Sequence, residues 1–110
     1  MDFVGNWQIY EIEKWNECSF NIGIQPYIEI DFNNQGEFQF GSVTGGLDGQ
    51  IVVDAGKQRW EFTWEGSNEL EPVSGSGWVR VKEPDLLEGE LRIHQGSRSK
   101  FLAKRAEKNN

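Results

Sequence analysis

Apolar and polar residues alternate with a period of two along most of this chain of 110 residues. That period is the mark of strands with one dry and one wet face. Short clusters of turn-forming residues separate the alternating runs. Aromatic residues make up 13 % of the sequence, enough for a dense core, since each ring buries roughly 150–250 Å². Together these observations predict an all-β fold: eight short antiparallel strands in an up-and-down meander, closed into a barrel. The barrel is expected to be a single domain over residues 1–105, with 106–110 as a frayed end.

The first strand is expected over about 4–12 and the second over about 25–32, where Ile28, Ile30 and Phe32 alternate with Tyr27, Glu29 and Asp31. Asn33-Asn34-Gln35-Gly36 then turns the chain into a third strand, about 36–43, with Phe38 and Phe40 set against Glu37 and Gln39. Gly45-Gly46-Leu47-Asp48-Gly49 lacks the Lys-Ser/Thr of a phosphate loop and reads as a hairpin turn before a strand at about 47–54. Asp54-Ala55-Gly56-Lys57 leads to the strand at about 58–65, where Trp60, Phe62 and Trp64 alternate with Glu61, Thr63 and Glu65. Residues 66–75 are polar and read as a surface loop before a strand at about 76–82. Glu83-Pro84-Asp85 and Gln95-Gly96-Ser97 bracket the strand at about 87–95, and the last strand covers about 98–105. The connection 13–24 is too long for a hairpin turn and is expected to be a short helix or a loop covering one end of the barrel.

Charge favours closure over an open sandwich. Residues 1–71 hold 13 acidic and 3 basic residues, and residues 72–110 hold 5 and 8. Closing the meander sets the first strand beside the last, and so Glu11 and Glu13 beside Lys100, Lys104 and Arg105. The formal charge of −7 argues against nucleic acid and anionic membranes as partners, since both require basic stripes. A single Cys excludes an intrachain disulfide framework. No apolar run approaches the roughly 18 residues of a membrane span, and the start of the chain does not read as a secretory signal. A cytoplasmic protein is the expectation.

The opening Phe3-Val4-Gly5-Asn6-Trp7 resembles the Gly-x-Trp segment that begins calycin barrels, the lipocalins, avidins and fatty-acid-binding proteins. The resemblance implies that Trp7 lies across one end of the barrel and that a basic residue of the last strand, Arg105 or Lys104, packs over its indole. The chain is also similar to small bacterial proteins with no assigned activity, which share the early Gly-x-Trp, a Gly-Glu-Phe-x-Phe strand (residues 36–40 here) and a Phe-x-Trp-Glu-Gly segment (62–66). The chain also departs from the families, and twelve residues after the first strand are too few for the helix-turn-helix lid of the fatty-acid-binding proteins. There is no Thr-Asp-Tyr segment, and Arg105 is followed by Ala106 and Glu107 where an Arg-x-Tyr pair would grip a carboxylate. The implied function is non-enzymatic binding of a small apolar or amphipathic ligand.

Trp7, Phe38, Phe40, Trp60, Phe62 and Trp64 are the candidate lining of such a ligand site; the alternative is that these rings fill the barrel, which at eight strands has little room to spare. Trp78 and Arg80 are the candidate interface. If Val79 and Val81 point inward, these two point outward and have the composition of a protein-interaction or homodimer contact. If Trp78 points inward instead, it is core. His94 falls on the polar face without a second His, and Cys18 beside Glu17 lacks a base, so neither reads as catalytic. Acid clusters such as Glu61, Glu65, Glu69 and Glu71 read as a solvated face. No catalytic constellation, cofactor motif or metal-ligand pattern is expected.

Overall fold

The computed structural model describes residues 3–12, 26–40, 43–96 and 98–106. Eight strands form one closed antiparallel ring: β1 (Gly5–Ile12), β2 (Tyr27–Ile30), β3 (Gln35–Phe40), β4 (Val43–Asp54), β5 (Lys57–Asn68), β6 (Glu71–Glu83), β7 (Leu86–Ile93) and β8 (Arg98–Arg105). Each strand pairs with its neighbours in sequence, and β1 pairs with β8 to close the meander. The stretch 13–24, with Cys18, lies outside the described residues.

Local chemistry fixes the tight connections. Asp31 Oδ1 accepts hydrogen bonds from the backbone N–H groups of Asn33 (2.8 Å) and Gln35 (3.1 Å), and Asn34 takes φ 63°. Ala55 and Gly56 both have positive φ, 52° and 79°, which suits the right-handed twist of the β4–β5 hairpin.

Two sequence expectations are corrected. Gly45-Gly46 is no turn but the interior of β4, because inward-facing Gly45 leaves room for the rings of Phe38 and Trp64. Residues 66–75 are no loop either: β5 runs to Asn68, β6 starts at Glu71, and Leu70 stands 97 % exposed at the tip. Polar composition misled there because Ser67, Ser74 and Glu65 belong to an ordinary two-faced hairpin in which Gly66 pairs with both Gly45 and Val73.

The interior is built by setting rings against glycines. Phe62 on β5 pairs with Gly49 on β4 and Gly77 on β6. A Cβ on Gly77 would stand 2.7 Å from the Phe62 ring, and one on Gly49 would stand 2.5 Å from the Trp60 ring. Large and small residues therefore alternate around the ring at one level, which is how a narrow barrel accommodates several aromatics. The rings meet mostly edge to face: Phe38–Trp64 at 5.0 Å and 86°, Phe38–Phe40 at 5.1 Å and 67°, Phe40–Phe101 at 5.6 Å and 71°. Each such pair adds about 0.5–1.5 kcal/mol beyond its buried area.

One end is closed by the N-terminal segment and the last strand. Trp7 is fully buried, and its indole N–H donates to Phe3 O at 3.0 Å. The Arg105 guanidinium carbon lies 4.2 Å from the Trp7 ring centroid. Arg105 Nη1 donates to Val4 O and Nε to Asp85 Oδ1, both at 2.8 Å. Gly5, at φ 141°, is required here, since a Cβ would lie 2.5 Å from Arg105 Nη1. A bulge between Ile9 and Glu11 shifts the β1–β8 register. Glu11 consequently faces Leu102, with Lys100 and Lys104 diagonal to it, and Arg105 serves Trp7 and Asp85 instead.

Two outcomes follow for stability. Gly77→Ala should destabilise the barrel by about 1–3 kcal/mol, and the added Phe62→Leu should recover part of that loss, read as a coupling energy in urea denaturation. Arg105→Ala should cost about 2–3 kcal/mol through its charged hydrogen bonds and ring contact. Arg105→Lys should recover less than half, because an ammonium cannot reach Val4 O and Asp85 together while lying flat on the indole.

Candidate functional site

The structure brings all six candidate ligand-lining residues together and buries them. Trp7, Phe38, Phe40, Trp60, Phe62 and Trp64 are each no more than 4 % exposed and belong to one continuous core with Ile9, Ile28, Leu87 and Phe101. A buried indole N–H needs an acceptor, and each of these three has one. Trp7 uses Phe3 O, Trp60 uses Asn34 Oδ1 at 3.3 Å, and Trp64 uses Arg92 O at 3.1 Å. Their polar atoms are thus committed to the protein itself.

Trp78 has the opposite fate. Val79 is fully buried on β6, so strand alternation turns Trp78 outward, where it pairs across the sheet with Glu61 of β5 and Glu90 of β7. Two guanidinium groups flank the indole, Arg59 at 5.6 Å and Arg80 at 5.8 Å from the ring centroid. Each is steered by a carboxylate on the same wall: Arg59 pairs with Glu61, and Arg80 with Glu88. Arg59 Nε is shut off from solvent without an acceptor, a cost offset in part by the cation–π contact. Sequence reading missed Arg59 because its tie to Trp78 exists only through the β5–β6 register.

Beside Trp78 lies a shallow depression of about 540 Å³ on the outer wall, lined by Thr63, Ser76, Trp78, Glu90, Arg92 and Arg98 among others. A second, of about 660 Å³, opens at the closed end of the barrel between Phe3, Val81, Lys57 and Lys82. The outer wall is charged at mid-height and the interior is apolar.

Little on this surface points to catalysis. His94 is exposed, in the turn after β7. Tyr27 has its phenol held above the usual range, chiefly by partial burial and then by the charges of Glu37 and Glu29. That favours the neutral phenol and suits neither a base nor a nucleophile at neutral pH. Among the described residues no group of three His, Cys, Asp or Glu side chains is placed to hold a metal ion. No family model, curated protein or solved structure matches the chain.

Proposed function

We propose that this chain is a non-enzymatic interaction module, a barrel of calycin type filled by its own side chains, which self-associates through the outer wall around Trp78 and Arg80. One observation carries the reading: among the described residues eight Phe and Trp rings are buried in the interior, while Trp78 lies half-buried on the outer wall within cation–π reach of two arginines. Trp and Arg are the residues most enriched at the energetic centres of protein contacts. The wall around them holds both signs of charge, so a second copy can meet acids with bases and bases with acids.

A second reading has its own support. The depression at the closed end joins the apolar Phe3 and Val81 to the Arg80–Glu88 ion pair and to Lys57 and Lys82, neither of which is ion-paired to another of the described residues. An amphipathic anion would fit that chemistry without entering the barrel.

Native mass spectrometry of gently purified protein separates the two. Self-association gives multiples of the bare chain mass, and Trp78→Ala should weaken it by about 2 kcal/mol, roughly thirtyfold, with the far-ultraviolet dichroism unchanged. A chain that remains single at every concentration and carries a few hundred extra daltons would replace the first reading with the second.

A further inference from the structure

Among the described residues the outer wall carries two directly opposed cross-strand pairs of like charge. Arg92 on β7 stands directly opposite Arg98 on β8, and Glu29 on β2 stands directly opposite Glu37 on β3. All four residues are exposed, and none of the four forms an ion pair with another of the described residues. Directly opposed like charges destabilise a sheet. Sequences ordinarily avoid the arrangement, yet this one has it twice, with opposite signs.

The two pairs are complementary in sign and similar in backbone spacing. Side chains directly opposite on neighbouring strands have Cβ atoms about 4.5–5.5 Å apart, so the two arginines and the two glutamates leave their sheets from similarly spaced positions. The arginine pair borders the same depression as Trp78. The glutamate pair has Tyr27 beside it, whose hydroxyl donates to Glu37 Oε1 at 3.4 Å. Along the ring the pairs lie three strand steps of eight apart across the β1–β8 seam. On a convex barrel two patches that far apart cannot both face one neighbour.

We infer that the Trp78 wall receives the β2–β3 wall of a second copy, with Arg92 and Arg98 against the neighbour's Glu29 and Glu37, so that association runs head to tail. The inference rests on the self-association proposed above and names the surface that meets Trp78. It places four like-charge neighbours in a setting where each has a counter-ion. Because the contact joins two different patches, every added copy leaves one patch of each kind open, and assembly does not stop at two.

Sedimentation velocity across a concentration series tests this, with four samples: the wild type, Arg92→Glu/Arg98→Glu, Glu29→Lys/Glu37→Lys, and an equimolar mixture of the two variants. The wild type should give species beyond two copies, with association about tenfold weaker at roughly 0.5 M than at roughly 0.02 M salt. Each variant alone should stay single, and the mixture should associate again, because either variant supplies the charge the other lacks. Should a charge-reversal variant fail to fold, the neutral pairs Arg92→Gln/Arg98→Gln and Glu29→Gln/Glu37→Gln replace it, each expected to weaken association at least tenfold. A wild type that stops at two copies, or variants that associate like the wild type while Trp78→Ala does not, would overturn the head-to-tail arrangement and leave the Trp78 contact standing. A wild type that is single throughout overturns both.

Discussion

The space inside a ring of eight strands is the constraint on which the rest of this protein depends. Such a ring holds about one packed layer of side chains per level and little else. This chain places three tryptophans and several phenylalanines there. It makes room by removing Cβ atoms opposite the rings. Gly49 and Gly77 flank Phe62 on the two neighbouring strands, and Gly89 faces Phe101. Glycine within a strand costs backbone entropy and gives up its own packing. Here that cost is offset because a neighbouring ring covers the vacated surface. The dry interior in turn forces each buried indole N–H onto a protein acceptor, which ties β5 to the β2–β3 turn through Asn34 and to β7 through Arg92 O.

The closed end follows the same economy of volume. Arg105 reaches over Trp7 because Gly5 leaves its path open, and its side-chain hydrogen bonds to Val4 O and Asp85 bring together the segment before β1, the end of β8 and the β6–β7 turn. One side chain thereby gathers three parts of the chain that are distant in sequence. With the inside so committed, the groups that can meet another molecule are those on the wall, and among them Trp78 carries two arginines within cation–π reach.

Much of this was legible in the amino-acid order. The period-two runs around Ile28, Phe38, Trp60 and Leu91 located strands, and the turns at Asn33–Asn34 and Ala55–Gly56 followed from residues that tolerate positive φ. The strand reading failed where glycine and serine served the sheet itself. Gly45, Gly66 and Gly75 look like punctuation in one dimension and are inward packing positions in three. The candidate site divided in the same way. Parity along β6 was enough to favour Trp78 outside, but the partnership of Arg59 with Trp78, and the opposition of Arg92 to Arg98 or Glu29 to Glu37, are properties of register. Register across a sheet depends on bulges such as the one at Ile9–Glu11, which leave no composition signal.

The seam between β1 and β8 also sets the order in which the molecule can assemble. Every other strand pair is a hairpin or a near neighbour, whereas the bond from Arg105 to Val4 joins residues 101 positions apart. Local hairpins form in microseconds, while a contact of that separation must wait for the loop entropy of nearly the whole chain to be overcome. Until then β1 and β8 are two open sheet edges, each able to pair with the wrong strand of another molecule. The finished barrel has no such edges. Its vulnerable period is therefore the interval before the last strand finds the first.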